Sequence, residues 1–157
     1  MKRLIILLLL LACCSLGLAA QSPDRAFWVA RYKQIEKLFN ERDAQSVEQM
    51  LADKFAIIDE HGRKHSRADF VKDELETVAQ ANFSQNTVQI RWMRQRGPNV
   101  DIAYDWRYSL AFDDPKSGRY KIHGHEVGVD TWHKFGNTWL SVRTKIEKAS
   151  QTKRKGS

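Results

Sequence analysis

The stretch from Tyr120 to Ile146 constrains the fold of this 157-residue chain more than any other. Two segments rich in Val, Thr, Trp and Leu flank the dipeptide Gly136-Asn137, which can adopt the positive φ angles of a tight hairpin turn. The sequence therefore predicts a long antiparallel hairpin. The register that follows from this turn pairs Phe135 with Thr138, His133 with Leu140, Thr131 with Val142 and Val129 with Thr144.

Alternation of side chains along the two strands predicts that this hairpin has two different faces. One face is plainly aliphatic and β-branched and comprises Val127, Val129, Thr131, Leu140, Val142 and Ile146. The other face combines aromatic and polar side chains and comprises Glu126, Asp130, Trp132, Trp139, Ser141 and Arg143. Aromatic walls with a few convergent polar groups are typical of a ligand pocket. We therefore expect the second face to line a cavity, with Asp130 directly opposite Arg143.

The N-terminal segment 1–20 has the pattern of a secretory signal peptide. A basic start precedes an unbroken apolar run, Leu4–Ala12, and Leu18-Ala19-Ala20 forms a small-residue cleavage site. An alternative is a lipoprotein in which Cys13 is acylated, but the downstream cleavage site favours the signal peptide. Cleavage after Ala20 would remove both cysteines and leave no transmembrane segment. We therefore expect a periplasmic or secreted protein.

The remaining chain is long enough for one domain, predicted over residues 21–148. Residues 149–157 are rich in Lys and Arg and have the composition of a disordered basic tail. The full chain has a formal net charge of +7, but its basic residues are interspersed with acidic ones. Together with export, this pattern argues against nucleic acid as a partner.

The spacing of apolar residues predicts that helices dominate the first half of the chain and strands the second half. Ser22-Pro23 can begin a helix that runs to about Asp43. A second, short helix is predicted over 44–52, and a buried strand over 55–58. Ser66 to Asp69 has the pattern of a capping box that opens a further helix. The apolar stripe of the first helix is Trp28, Tyr32, Ile35 and Phe39.

From Thr87 onward the period changes to two. Gly97-Pro98-Asn99 and the segment 113–118 predict the turns of an antiparallel meander. Helices followed by such a meander indicate an α+β fold with the helices packed on one face of the sheet. The clearest alternation places Val100, Ile102, Tyr104, Trp106, Tyr108, Leu110 and Phe112 on one buried face.

Local motifs in this order resemble those of the nuclear transport factor 2-like superfamily, particularly its SnoaL-like and kinase-association-domain branches. The resemblance covers about Phe27 to Glu147. It implies a cone in which a strongly curved antiparallel sheet wraps a long N-terminal helix and leaves a cavity at its open end. The motifs are Asn40-Glu41-Arg42-Asp43, Leu51-Ala52-Asp53-Lys54-Phe55, Gly62 in a turn, and the segment Thr131 to Trp139, where two tryptophans straddle a glycine-containing turn.

The resemblance also implies which side chains line the cavity. The middle strand would contribute Tyr104, Trp106 and Tyr108, and the hairpin would add the polar groups of Glu126, Asp130, Ser141 and Arg143. The kinase-type domain places arginines in its pocket, whereas the matching positions here are Trp106 and Asp130. The anion-binding role of that branch therefore does not transfer. The His/Asp and Tyr/Asp pairs of the family's dehydratases and isomerases have no matched positions in this chain.

Asp130 and Arg143 allow two interpretations. They could bind a ligand carboxylate or alcohol, with Asp130 as a proton acceptor, or they could form a buried ion pair that satisfies only itself. Glu126 is a second carboxylate on the same face, and two nearby carboxylates in an apolar cavity can raise one another's pKa. Gly124 and Gly128 flank Glu126 and could mark bulges that reverse its direction.

The tyrosines could likewise donate hydrogen bonds to an oxyanion or simply pack in the core; Tyr32 is the helical one, and Tyr104 and Tyr108 lie on the middle strand. His123 and His125 share one strand face, opposite to that of Trp132, and no third metal ligand accompanies them. No nucleotide fingerprint, phosphate-binding glycine loop or Ser-His-Asp arrangement is present, so we expect no metal and no cofactor.

Three functions remain open at this point. The first is binding of a small apolar or aromatic ligand in the aromatic-walled cavity, without catalysis. The second is a lyase or isomerase in which Asp130 or Glu126 removes a proton next to a carbonyl group. The third is an assembly module that forms a homodimer through the outer face of the sheet.

Overall fold

The computed structural model describes residues 23–116 and 118–155. The predicted signal peptide, and with it the alternative of acylation at Cys13, lies outside the described residues. In the part of the chain that is described, no helix combines the length and the hydrophobicity needed to cross a membrane.

The chain begins with the long helix α1, Arg25–Glu41. Its N-cap is Asp24, whose Oδ1 accepts a hydrogen bond from the backbone N–H of Phe27 at 2.9 Å. The helix ends at Arg42, which adopts the left-handed conformation with φ 61°. A second helix, α2, spans Ala44–Glu48 and is therefore shorter than predicted, because the first strand already begins at Leu51.

A composite helical segment crosses the open end of the sheet. It comprises α3, Arg67–Phe70, a π-helical turn over Val71–Leu75, and α4, Glu76–Gln80. The capping box predicted at its start is confirmed, since the Ser66 side chain accepts from the Asp69 N–H and the Asp69 side chain accepts from the Ser66 N–H. This segment joins the first strands to the meander.

The strands form one six-stranded, curved and unclosed sheet with the order β2-β1-β6-β5-β4-β3. Strands β3 to β6 form the predicted antiparallel meander, and β1 adds to β6 in parallel. The expected α+β architecture, with helices on one face of a curved sheet, is confirmed. The strands are β1 Leu51–Ile58, β2 Lys64–Ser66, β3 Phe83–Arg96, β4 Asn99–Asp114, β5 Gly118–Phe135 and β6 Thr138–Lys155.

The predicted hairpin register is right near the turn and wrong beyond it. Phe135 pairs with Thr138 and His133 with Leu140, as expected. A bulge then follows, because Trp132 pairs with Ser141 while its neighbour Thr131 pairs with Arg143. The extra residue is Val142, so the predicted pairs Thr131–Val142 and Val129–Thr144 do not form. Asp130 instead pairs with Thr144.

A second bulge lies between Val127 and Gly128 of β5, where Glu147 is the extra residue of β6. Beyond it β6 continues to pair with β5 as far as Lys155. The prediction of a disordered tail is therefore wrong for residues 149–155, and residues 156–157 lie outside the described part. Ile146 lies on the inner side because the first bulge, at Val142, shifts the alternation of the residues that follow it, although Ile146 was predicted for the outer, aliphatic face.

The main core lies between α1 and the inner face of the sheet. Trp28 of α1 contacts the indoles of Trp132 and Trp139, with ring centroids 5.5 and 5.3 Å apart. The predicted buried face of β4 is confirmed by Val100 and Ile102, which are at most 1% exposed. Because α1 fills only one end of the curved sheet, the other end remains hollow.

Candidate functional site

The hollow end of the sheet contains a cavity of about 510 Å³. Its walls come from β1 and the turn that follows it, from the inner faces of β3 to β6, from α1 and α2, and from the composite helical segment over 67–80. Apolar lining includes Ile35, Phe39, Met50, Phe55, Phe70, Val78, Trp106, Leu110, Trp132 and Ile146. Polar lining includes Asn86, Tyr104, Tyr108, Glu126, Asp130, Ser141 and Thr144.

Glu126 lies on the cavity wall, with its carboxylate paired to Tyr104. The hydroxyl of Tyr104 donates a short hydrogen bond to Oε1 of Glu126. Within the described residues no hydrogen bond reaches the second oxygen, Oε2. The bulge beside Gly128 places its extra residue in β6, so the alternation of β5 is kept and Glu126 still faces inward.

Asp130 has both carboxylate oxygens occupied. The Tyr32 hydroxyl donates to its Oδ2 at 2.5 Å, and the Thr144 hydroxyl donates to its Oδ1 at 2.6 Å. The indole N–H of Trp132 in turn donates to the Tyr32 oxygen at 3.2 Å. Tyr32 is 2% exposed and lies behind Asp130 rather than on the cavity surface. Asp130 therefore links α1 to the hairpin.

Burial changes the acid–base behaviour of both carboxyl groups. Removal from water raises the pKa of Glu126 to about 7, and the nearby charge of Asp130 adds to the rise against the opposing hydrogen bond from Tyr104. Burial also raises the pKa of Asp130 to about 6, although the hydrogen bonds from Thr144 and Tyr32 act in the opposite direction. Burial raises the pKa of Tyr104 well above its usual value.

Two glycines of β5 make room for the tyrosine rings of β4. Tyr104 pairs with Gly128 and Tyr108 pairs with Gly124. A Cβ atom at Gly124 would lie 1.9 Å from Cζ of Tyr108, and one at Gly128 would lie 2.6 Å from the Tyr104 hydroxyl oxygen. These glycines therefore allow close approach of the rings to the β5 backbone, which is a role the sequence pattern left open.

Trp106 forms an aromatic wall beside Glu126, its direct cross-strand partner. Its indole N–H donates to Oδ1 of Asn86 at 2.9 Å, and its ring packs edge-on against Phe39 with centroids 4.9 Å apart. These contacts fix the orientation of the indole while its remaining surface lines the cavity.

The predicted polar residues of β6 separate onto two faces. Ser141 lines the cavity and is only 4% exposed, yet its Oγ has no hydrogen-bond partner in the described structure. Arg143 lies on the outer face, where its guanidinium donates to Oγ1 of Thr131 at 3.1 Å. The expected Asp130–Arg143 ion pair is therefore wrong, because the bulge at Val142 turns Arg143 away. Arg143 does not belong to the cavity.

The mouth of the cavity carries polar side chains that sequence reasoning missed. The turn between β1 and β2 and the composite helical segment supply them, and they approach the hairpin only through the fold. Within this group Asp59 accepts from Arg63 Nε at 2.6 Å and lies 3.2 Å from His65 Nε2. The charged residues at the mouth are Asp59, Glu60, Arg63, His65, Asp69, Asp73 and Glu74.

His125 lies on the outer face of β5, as its position relative to Trp132 predicted. Its Nε2 is 3.0 Å from Oδ1 of Asp105 on the neighbouring strand. The paired histidines at 123 and 125 are therefore remote from the cavity.

Comparison with known proteins identifies the fold. The chain matches no protein-family model and no curated protein. Among solved structures, a candidate scytalone dehydratase from Novosphingobium aromaticivorans matches with a TM-score of 0.61 at 9% identity, covering 82% of this chain and 85% of that chain. A nuclear transport factor 2-like protein from Cytophaga hutchinsonii matches with a TM-score of 0.58 at 12% identity, covering 79% and 97%.

A third similar structure is a hexachlorocyclohexane dehydrochlorinase, LinA Type2, with a TM-score of 0.56 at 9% identity and coverage of 77% and 83%. Such low identities establish the fold alone. The expected cone-shaped fold of the nuclear transport factor 2-like superfamily is confirmed.

Proposed function

We propose that the nuclear transport factor 2-like fold of this chain serves to bind a small, largely apolar or aromatic molecule in its cavity. The observation that carries this proposal is the cavity itself, of about 510 Å³, with aromatic walls and a few polar groups. This volume lies within the range of about 300–1,000 Å³ that is typical of small-molecule sites.

The polar groups on the wall divide into satisfied and available ones. Asp130 is saturated by Tyr32 and Thr144, which suits a structural role. Oε2 of Glu126 and Oγ of Ser141 have no partner within the described residues. A buried hydroxyl without a partner costs free energy, and a ligand that supplies the missing hydrogen bond would recover it. These two groups are therefore the proposed orienting contacts.

Binding can be tested with a pair of variants at neighbouring positions. Ile146→Trp places an indole in the cavity, whereas Lys145→Trp places one on the outer face of the same strand. The ligand is sought by native mass spectrometry of protein purified from its own source. We expect a bound small molecule in the unaltered chain and in Lys145→Trp, and none in Ile146→Trp. If Ile146→Trp retains the same molecule, the site lies elsewhere and the proposal fails.

A second candidate function, proton transfer, is favoured by the pairing of Glu126 with Tyr104. A carboxylate with a pKa of about 7 in a partly dry cavity is suited to act as a general base. Oε2 of Glu126 would remove a proton from a carbon next to a carbonyl group. The electron pair would move to the carbonyl oxygen, where the hydroxyl of Tyr108, also on the cavity wall, could donate a hydrogen bond.

The resulting enolate would then either regain the proton at another carbon or expel a leaving group. Two of the similar structures are named as a candidate dehydratase and a dehydrochlorinase. A dehydratase and a dehydrochlorinase each remove a small molecule from an organic substrate, which is the second of these outcomes.

Proton transfer is tested by incorporation of solvent deuterium into a carbonyl compound that binds the cavity. We expect incorporation by the unaltered chain, loss of at least about a hundredfold in rate for Glu126→Gln, and little change for Glu74→Gln at the mouth. Equal incorporation by Glu126→Gln would exclude Glu126 as the base. Glu126→Gln keeps an oxygen that can accept the hydrogen bond from Tyr104, so we expect it still to bind the compound. A loss of deuterium incorporation would therefore report on proton transfer and not on binding.

We also propose that the chain acts outside the cytoplasm, after removal of residues 1–20. Support comes from the basic start, the apolar run and the small-residue site that precedes Gln21. Mass spectrometry of the protein from a cell that exports it is expected to show a mature chain beginning at Gln21. A chain that retains residues 1–20 would contradict export, and a lipid on Cys13 would replace secretion by membrane anchoring.

A further inference from the structure

The charge that surrounds the cavity has the opposite sign from the charge of the whole chain. The chain has a formal net charge of +7, whereas acidic side chains outnumber basic ones in the cavity lining. The acidic residues of the lining are Asp59, Glu60, Asp69, Asp73, Glu74, Glu126 and Asp130, and the basic ones are Arg63 and His65.

The two basic side chains are already engaged by one carboxylate. Arg63 Nε is 2.6 Å and His65 Nε2 is 3.2 Å from the same oxygen, Oδ2 of Asp59. Within the described lining, His65 acts on Glu74, but no basic side chain offsets the charge of Glu126. Burial and the neighbouring Asp73 raise the pKa of Glu74 against the opposing effect of His65.

A second observation at the same site also points to a ligand. Ser141 Oγ is buried, lines the cavity, and has no hydrogen-bond partner among the described residues. A buried polar group without a partner in a roomy cavity indicates that something other than the protein completes its hydrogen bonding. This observation does not depend on the charges.

An aromatic ring lies beside the carboxylate of Glu126. Trp106 is the cross-strand partner of Glu126, and both side chains face the cavity. Directly paired side chains on one face of an antiparallel sheet have Cβ atoms about 4.5–5.5 Å apart. An ammonium group bound to Glu126 would therefore also lie beside the indole, whose face attracts cations.

We propose that the ligand of this cavity is an organic cation, a protonated amine on an apolar or aromatic body. This inference rests on the proposed binding function and specifies its substrate class. The ammonium group pairs with Glu126 beside Trp106, the apolar body packs on the aromatic wall, and Ser141 bonds a polar group of the ligand. An anionic ligand is excluded by repulsion from the acidic lining, and a neutral one leaves Glu126 without a counter-charge.

Three probes of similar size and different charge test this inference. They are 2-phenylethylamine, 2-phenylethanol and phenylacetate, titrated into the unaltered chain by calorimetry at about pH 8 and low salt, where Glu126 is ionised. We expect the amine to bind at least about tenfold more tightly than the alcohol, and phenylacetate to bind more weakly still. Glu126→Gln should remove the preference for the amine. The control Glu147→Gln alters an acidic residue that does not line the cavity and should keep it.

The outcomes separate this inference from the proposed function. If the alcohol or phenylacetate binds as tightly as the amine, cation selectivity is overturned while small-molecule binding stands. If none of the three probes binds, the inference fails for this ligand class, and the cavity-filling pair Ile146→Trp and Lys145→Trp still decides the proposed function. If the amine binds equally well to Glu126→Gln, the cation site is not at Glu126 and the inference is likewise overturned.

Discussion

At the scale of single residues, the two carboxylates of the cavity have different tasks. Asp130 has a hydroxyl on each oxygen and joins α1 to the hairpin. Glu126 accepts from Tyr104 on one oxygen and keeps the other for the cavity. Burial raises the pKa of both groups, and fewer hydrogen bonds oppose its cost at Glu126.

The pH dependence of stability should differ between variants of these two residues. A folded-state pKa of about 7 for Glu126, above its usual value, means that protonation stabilises the fold, so stability falls as pH rises toward 7. We expect Glu126→Gln to reduce this fall between about pH 5 and about pH 8 by roughly 1–3 kcal/mol. Urea unfolding at several pH values measures the effect.

Asp130→Ala provides the contrast. Removal of the carboxyl group leaves the buried hydroxyl of Tyr32 and the hydroxyl of Thr144 without their common partner, whatever the protonation state of Asp130. We expect a loss of roughly 1–3 kcal/mol in the free energy of unfolding even at about pH 5, where Glu126→Gln is close to neutral. If the two variants behave alike at every pH, the division between a structural and an available carboxylate is wrong.

At the scale of elements, the two glycines of β5 position the tyrosines of β4. At Gly128 an added Cβ would lie 2.8 Å from the backbone oxygen of Lys145 as well as 2.6 Å from the Tyr104 hydroxyl. The backbone of the paired strand cannot move aside as a side chain can. At Gly124 the nearest atoms all belong to the Tyr108 ring, which can move.

We therefore expect Gly128→Ala to destabilise the fold by roughly 2–4 kcal/mol and Gly124→Ala to cost less, roughly 1–2 kcal/mol. Gly124→Ala should nevertheless weaken ligand binding, because Tyr108 must shift along the cavity wall. Thermal unfolding and calorimetric titration measure the two effects. Equal destabilisation by both variants would show that the backbone contact at Lys145 does not decide the outcome.

The last part of β6 is a second element with a testable role. Residues 149–155 pair with β5, and Ala149 and Gln151 reach the cavity mouth. We expect truncation after Lys148 to leave the segment 120–126 of β5 without its β6 partner and to speed amide hydrogen exchange there, while the 131–143 region stays protected. Exchange followed by mass spectrometry tests this. Unchanged exchange in 120–126 would restore the interpretation of residues 149–155 as a dispensable tail.

The sequence predicted β5 better than β6 for a physical reason. Alternation is reliable within a strand that has no extra residue, and β5 keeps its period, so Glu126, Asp130 and Trp132 face inward as expected. Both bulges insert their extra residue in β6, at Val142 and Glu147. Neither position carries a glycine or proline that would signal a bulge, so the register of Arg143 was predicted wrongly.

At the scale of the whole molecule, a basic chain encloses an acidic hollow. The acidic mouth depends on a turn and a helical segment that approach the hairpin only in the folded chain, so sequence periodicity gave no sign of it. The cone itself was predictable, since helices followed by long alternating strands have few other ways to bury one face.

This arrangement should guide a cationic ligand toward the mouth. We expect the double variant Asp73→Asn, Glu74→Gln to lower the association rate constant for 2-phenylethylamine by roughly threefold to tenfold and to weaken its dependence on salt. Stopped-flow measurements at several NaCl concentrations test this. An unchanged rate at low salt would show that these acids do not attract the ligand.

The expected homodimer through the outer sheet face stays a prediction, and light scattering over a range of concentrations checks it.

The bulges at Val142 and Glu147 have a consequence for how such a protein can evolve. Each extra residue of β6 is taken up in a bulge, so the residues that follow it are in register with β5 as they would be in a straight strand without that residue. Loss of a single codon at either position would straighten the strand and alter the size of the hollow, while every side chain in it kept its direction. The volume of the cavity and the chemical character of its lining can therefore change separately in proteins descended from one gene.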